Sequence, residues 1–240
     1  MTLSIFRRSG QSVRRFSHAD AQTYERKFAA AAIYADFPRV WADHQEAMAS
    51  GSLWHGPDDQ WFQGDTVLWE RFVEHVRGKL SLEIGSGPFG YLGPARWIER
   101  RAIIDPLVDF YRSEELRAAG GTFFDESVET YAQPAEEPVP ELRASVEGCI
   151  VCRNALDHTE DPLAVLGNLA DYAVPGCYFL FWTDLWHLNG PNEGHRNITR
   201  RPEVIDALLD GLGFEILKRG VAIRSSTECV EYGRLARKRP

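Results

Sequence analysis

From Gly78 onward, short apolar runs alternate with stretches whose apolar residues recur every three or four positions. The short runs, bounded by Gly, Pro and polar residues, read as strands, and the longer rhythm reads as helix. Strands are predicted at residues 80–84, 102–105, 122–124, 149–153, 178–183, 215–218 and 221–232, with helices at 107–119, from Pro162 through Leu169, and across 204–212. Residues 178–183 are almost wholly apolar, as expected for a strand covered on both faces. Residues 132–143 are proline-rich and acidic and read as a surface connection. The last two predicted strands meet at Arg219-Gly220, and so short a connection requires an antiparallel pair. A β-α-β-α series with a terminal hairpin defines an α/β fold with a mostly parallel sheet.

The chain before residue 78 differs in texture. Residues 21–35 are alanine-rich, with Tyr24, Phe28 and Ile33 near helical spacing. A second helical stretch starts at Pro38 and carries Val40, Trp41 and Met48. Residues 51–64 are loop-like and aromatic, with Trp54, His55, Trp61 and Phe62, and residues 66–76 return to helix with Trp69 and Phe72 inward. The chain therefore divides into a helical cap or lid region, 1–77, and a sheet domain, 78–240. The aromatic set reads either as a small satellite core or as a wall for a small molecule.

The stretch Leu82-Glu83-Ile84-Gly85-Ser86-Gly87-Pro88 runs from a strand into a glycine-rich turn. Gly85 and Gly87 permit positive φ and close backbone approach, and Pro88 tightens the loop. Residues 93–101 read as a following helix whose free N–H groups would face the turn and attract an anion. Gly85-x-Gly87-x-x-Gly90, with Asp105 about 20 residues on, formally satisfies the dinucleotide fingerprint. Two features argue against a nicotinamide cofactor. Pro88 and Gly93 fall where that motif's helix should open, and Glu83 stands where an apolar strand residue belongs. A carboxylate there requires N–H donors or a cation. After Asp105 the chain completes one sheet, with no length left for a separate catalytic domain.

These residues resemble the class I S-adenosylmethionine-dependent methyltransferase family over roughly residues 78–232. The turn Leu82 to Pro88 looks like the family's first motif, and Asp105 looks like the acid that closes its second strand and binds ribose hydroxyls. Cys152-Arg153-Asn154-Ala155-Leu156-Asp157-His158, followed by Asp161-Pro162, is similar to the stretch after its fourth strand, and Gly211-Leu212-Gly213-Phe214-Glu215 to its late helix-to-strand turn. Asp125-Glu126-Ser127 stands at the third motif without a distinctive adenine signature. The resemblance implies a Rossmann-like seven-stranded sheet with a terminal antiparallel hairpin, S-adenosyl-L-methionine as cofactor, and Glu83, Gly85, Ser86, Gly87, Asp105, Pro106, Glu126, Ser127 and Asn154 as its binding residues. The chemistry of that molecule agrees: turn N–H groups suit its carboxylate, and Asp105 can accept from a ribose diol.

Methyl transfer is mostly a matter of positioning, with a base needed only where the acceptor carries a proton. His187, following the fifth strand, is the first candidate base, ahead of His158 and His195. Asp184, His187, Glu193 and His195 could together hold a divalent metal, but their spacing matches no recognised signature and no metal is assigned. Trp182 and Trp186 suit an aromatic or hydrophobic small molecule, or a cation–π wall near a sulfonium. The reading is a small-molecule methyltransferase, oxygen ahead of nitrogen as acceptor. Its rivals are an NAD(P)-dependent oxidoreductase and a non-catalytic methyltransferase-like binding module.

Composition narrows the setting. A formal charge of -8 over 240 residues argues against broad binding to nucleic acid or anionic membrane. The apolar run at 177–182 is too short to span a bilayer. Arg7, Arg8, Arg14 and Arg15 faintly resemble a transit peptide, although a frayed basic terminus is the simpler reading, as it is for the basic tail from Arg234 to Arg239. Cys149 and Cys152 share a C-x-x-C spacing inside a predicted strand, where residues three apart face opposite sides, so they read as core. A reducing cytoplasm fits, and homo-oligomerisation is left open.

Overall fold

The computed structural model describes residues 19, 22–24, 26–27, 60–87, 90–93, 95–112, 127–187, 195–224 and 229–240. Within them run helix α1 (Thr66–Val76), strand β1 (Leu80–Ile84), β2 (Arg100–Ile104), the short α2 (Val108–Tyr111), β3 (Glu129–Tyr131), β4 (Cys149–Arg153), α3 (Pro162–Tyr172), β5 (Tyr178–His187), α4 (Pro202–Gly211), β6 (Phe214–Arg224) and β7 (Cys229–Lys238). The strands form one seven-stranded sheet in the order β3-β2-β1-β4-β5-β7-β6. Pairs among β1 to β5 are parallel, whereas β7 runs antiparallel to both β5 and β6. Strand order reverses direction between β1 and β4, and in open sheets of this kind ligands bind outside the carboxyl ends at that switch point.

Both faces are covered. α3 and α4 place Val165, Leu166, Leu169, Ile205 and Leu209 against Leu82, Ile84, Ile150 and Phe179. On the other face, Trp61, Phe62, Phe72 and Val76 pack against Val151, Leu180 and Leu235. The aromatics just before and within α1 are therefore core to the sheet. Burying one phenyl ring of this kind stabilises by roughly 1.5–3 kcal/mol. Trp61 also donates its indole N–H to the Phe181 carbonyl at 3.3 Å. The α1 N-terminus is capped by Asp65, which accepts from the Leu68 N–H at 3.0 Å. α3 opens with Pro162 behind Asp161, whose carboxylate accepts from the N–H groups of Leu163 and Ala164.

Several sequence expectations are corrected. Residues 95–99 make turns rather than a helix, so β1 is not followed by a helix N-terminus among the described residues. The N–H groups of Tyr91 and Leu92 are drawn back to the Glu83 carboxylate, and Arg100 already begins β2, leaving no length for a helix. Among the described residues the third strand is Glu129–Tyr131; the predicted strand at 122–124 lies outside the described residues, together with most of the predicted helix at 107–119. Arg219 and Gly220 do not turn the hairpin. They lie within β6, paired with Arg234 and Gly233, and the hairpin reverses beyond Arg224. The glycines there make room for an indole: a Cβ on Gly233 would fall 2.2 Å from the Trp182 ring. Cys149 and Cys152 face opposite sides of the sheet, as the strand period requires, and burial pushes the Cys149 thiol up to about 12. Among the described residues, no helix is long and apolar enough to cross a membrane.

Candidate functional site

The turn after β1 is built by steric necessity. Gly85 sits at φ +61°, and a Cβ there would lie 2.4 Å from the Ala155 Cβ, so the loop after β4 packs directly on the turn. Gly87 is also left-handed, at φ +55°. Its N–H donates to Asp105 Oδ2 at 3.0 Å, while Leu107 N–H donates to Oδ1 at 2.8 Å. Asp105 thus ties the glycine turn to the end of β2 and is held at 4% exposure with its carboxylate oriented by two backbone donors. This turn N–H, expected to hold a ligand carboxylate, is engaged within the protein.

Glu83 supports the same turn from inside. It is 3% exposed, and its two oxygens accept from Tyr91 N–H at 2.8 Å and Leu92 N–H at 2.7 Å. Burial pushes its carboxyl up to about 7, against the pull of those two donors. A Cβ on Gly90 would come within 2.9 Å of Glu83 Oε2, so that glycine lets the 90–92 loop close over the carboxylate.

A cavity of about 430 Å³ opens over the carboxyl ends of β1, β2 and β4. Of the predicted binding residues, Glu83, Gly85, Ser86, Gly87, Asp105, Pro106 and Asn154 all line it. Ser127 does not: it precedes β3, and its hydroxyl accepts from Arg101 Nη2 at 2.7 Å. Glu126 lies outside the described residues. Pro134, Ala135 and Glu136, after β3, also line the cavity. Glu136 Oε1 accepts from Glu160 N–H at 2.6 Å, whereas Oε2 is buried without a hydrogen-bond partner among the described residues.

Of the three candidate histidines, the cavity takes in His158 and His195. The backbone of His187 ends β5 in register with Cys229 of β7, and its side chain lies outside the described residues. Asp184 is not part of the cavity lining, and Glu193 is outside the described residues. With Glu193 and the His187 side chain outside the described residues, the metal set considered from sequence is represented by Asp184 and His195 alone, and His195 meets different partners. Its Nδ1 lies 2.8 Å from Asp157 Oδ2, and its ring centroid is 4.1 Å from that of His158. Asp157 is 1% exposed, and its Oδ1 accepts from the Thr183 hydroxyl at 3.2 Å. Tyr24, from the N-terminal region, packs edge-on to His195 at 5.5 Å and also lines the cavity.

Sequence reading missed Arg153 and Asp157. Arg153 closes β4, and its guanidinium lies 5.1 Å over the Tyr91 ring on the cavity wall. Its position one residue before Asn154, at a strand end beside the glycine turn, was the available signal. Asp157 had none, because its partner His195 lies 38 residues away.

The sheet order, the antiparallel last strand and the crevice at the β1/β4 switch define the fold of class I S-adenosylmethionine-dependent methyltransferases. Among solved structures, the chain is similar to the Burkholderia thailandensis 1,6-didemethyltoxoflavin-N1-methyltransferase, crystallised with 1,6-didemethyltoxoflavin and S-adenosylhomocysteine. The identity is 17%, the TM-score 0.56, and the match covers 96% of this chain and 94% of that one. It is also similar to the [4+2]-cyclase SpnF, with 13% identity and a TM-score of 0.51 over 75% of this chain and 85% of that one. At such identities the likeness is one of fold, and SpnF shows that the fold carries more than one chemistry. No protein-family model matches the sequence, and no curated protein compared with it matches.

Proposed function

We propose that the chain is an S-adenosylmethionine-dependent methyltransferase acting on a small molecule, with oxygen the favoured acceptor atom. The observation that carries this reading is the convergence of three strand ends on one cavity, each bringing the group the cofactor needs. Asp105 offers oriented carboxylate oxygens to the ribose hydroxyls, beside Pro106 and Leu107. Glu136 presents a buried acceptor suited to an adenine amino group. Arg153, with Asn154 beside it, supplies the cation for the amino-acid carboxylate that the engaged Gly87 N–H does not. When bound, the cofactor supplies an electrophilic methyl group on a sulfonium. The residues of the chain orient the two reactants and exclude water, which is most of what an in-line displacement requires. Tyr24, His158 and His195 bound the part of the cavity left for the acceptor. A negative formal charge and a cavity of this size favour a small acceptor over nucleic acid.

Calorimetry with S-adenosylhomocysteine tests the reading. Saturable binding is expected, lost in Asp105→Ala, together with methylated product when the protein and S-adenosylmethionine meet a metabolite extract. Stabilisation by NAD(P)H and none by S-adenosylhomocysteine would replace it with the oxidoreductase reading. No ligand effect from either would leave the fold as a binding module.

A further inference from the structure

We propose that Asp157, His158 and His195 form a site for one divalent transition ion of the zinc type, set in the wall of the cavity. Asp157 follows β4 in a single 3-10 turn, Leu156–His158, and its carboxylate has two differently engaged oxygens. Oδ1 is taken by the Thr183 hydroxyl. Oδ2 faces two imidazoles at once, His195 Nδ1 at 2.8 Å and His158 Nε2 at 3.9 Å. The second distance is too long for a hydrogen bond, yet the nitrogen is turned toward the same oxygen. One donor atom from each of the three residues lies within 4.8 Å of the others.

Ligand atoms about 2.0–2.1 Å from a tetrahedral zinc ion stand about 3.4 Å apart. The pair at 2.8 Å is shorter than this and the pair at 3.9 Å longer, so small torsions of the two rings, whose side chains are 15% and 19% exposed, bring all three onto one ion. Two imidazoles and one carboxylate are the three-ligand set of zinc sites that keep a fourth position for water or substrate. Because both histidines line the cavity, that fourth position faces it.

The surroundings hold the ligands as a metal site requires. Thr183, fully buried on β5, orients the carboxylate from behind. The segment that carries His195 is pinned to the 156–160 loop: Arg196 N–H donates to the Asp157 carbonyl at 2.9 Å, and its guanidinium donates to the carbonyls of Thr159 and Glu160. Two chain segments 37 residues apart are thereby fixed where both histidines can reach Asp157. The site itself does not rest on the methyl-transfer reading; only its use does. With that reading, a hydroxyl acceptor at the open position gives its proton to water more readily, and the resulting oxygen anion attacks the methyl group as the carbon–sulfur bond breaks.

The test is a titration of chelator-treated full-length protein with Co²⁺, followed by its visible absorption, and with Zn²⁺ by calorimetry. One equivalent is expected, with the intense bands of low-coordinate cobalt. Affinity should fall at least ten-fold in His158→Gln and in His195→Gln, and by roughly 10–100-fold in Thr183→Ala. His75→Gln, far from the cluster, should leave it unchanged. Circular dichroism melts establish that each variant is folded, and His158→Ala and His195→Ala replace any that is not. Absence of a stoichiometric ion, or an affinity unmoved by both histidine substitutions, overturns the proposal and leaves a hydrogen-bonded imidazole–carboxylate pair. S-adenosylhomocysteine titrated into the same samples separates the two claims. Its heat without metal binding removes the metal site alone, and metal binding without its heat removes the cofactor reading alone.

Discussion

Gly85→Ala is the most demanding test of how the site is assembled, because two independent penalties meet at one methyl group. The first is conformational. Residue 85 sits at φ +61°, where an L-residue with a Cβ loses about 1–2 kcal/mol. The second is steric. The new Cβ would lie 2.4 Å from the Ala155 Cβ, whereas ordinary contacts fall at 3.4–4 Å. Ala155 is 7% exposed and closes off a cavity-lining loop, so it cannot swing away into solvent. Relief must come from moving the turn or the loop, an overpacking cost of about 1–3 kcal/mol. The sum is about 2–5 kcal/mol, a large part of the roughly 5–15 kcal/mol available to a domain. For a chain of this length that lowers the melting temperature by about 4–20 °C.

The two penalties can be separated. Ala155→Gly removes the steric partner but not the φ cost, so Gly85→Ala/Ala155→Gly should recover at least about 1 kcal/mol relative to additivity in a urea-denaturation double-mutant cycle. S-adenosylhomocysteine affinity should fall in Gly85→Ala and partly return in the double variant, since both residues line the cavity. A stability loss below about 0.5 kcal/mol in Gly85→Ala, a value usual for inert surface changes, would refute the packing described here. So would additivity in the cycle.

Glu83 makes a pH prediction. Its carboxyl is raised to about 7 by burial, so its contribution to stability is complete below the unfolded value of 4.5 and is lost as pH rises through about 7. The change is on the order of 3 kcal/mol. Glu83→Gln should flatten that part of the pH–stability curve while costing about 1–3 kcal/mol at pH 5, because an amide N–H₂ then faces one of two N–H donors; an unchanged slope in chemical denaturation would contradict it. Arg153→Gln should weaken S-adenosylhomocysteine roughly ten-fold by calorimetry with little change in melting temperature, and equal affinity would remove Arg153 from the carboxylate site. On β7, Arg234 is 3% exposed and donates to Asp206 Oδ1 at 2.6 Å. Asp206→Ala removes the counter-charge of that guanidinium, leaving it the Gly220 and Gly233 carbonyls, and should cost about 3–5 kcal/mol in denaturant, with Asp206→Ala/Arg234→Met recovering much of it; a loss under 1 kcal/mol would show that the pair is not formed in solution.

How much of this was legible in the sequence follows from how local each cause is. The β1 turn was readable because its requirements sit close together in sequence: a left-handed glycine, a second one two positions on, and a buried acid two residues before the first. Strand β1 was readable from its alternating Leu82 and Ile84, and β4 and β5 as apolar runs. The hairpin was misplaced because Arg219-Gly220 carries the composition of a turn, while both residues pair within β6 opposite Arg234 and Gly233, and it is Gly233 whose missing Cβ admits the Trp182 ring. The helix expected after the glycine turn failed for a similar reason. The Tyr91 and Leu92 N–H groups just ahead of the predicted stretch are bound to Glu83, a tertiary demand that no local pattern expresses.

The site's acidic and basic groups divide along the same line, and the division has a cause in the topology. Asp105 directly follows β2 and Asn154 directly follows β4, so any sequence aligned to the strand ends finds them. His195 lies beyond the end of β5, and its place is fixed by the residues that follow it. There Ile198 and Thr199 donate their N–H groups to the Leu185 carbonyl, and Arg196 is tied to the 157–160 loop. This segment thus runs alongside the end of β5 and is laid against the loop after β4. On the proposed reading, strand ends hold the part of the cavity suited to the cofactor, whereas the segment carrying His195 and the N-terminal Tyr24 form the part left for the acceptor. Fold likeness at 17% identity is consistent with this arrangement, because the sheet is retained while the segments that choose the acceptor are free to change. On the proposed methyltransferase reading, the acceptor is to be sought in the chemistry of Asp157, His158 and His195 rather than in the fold.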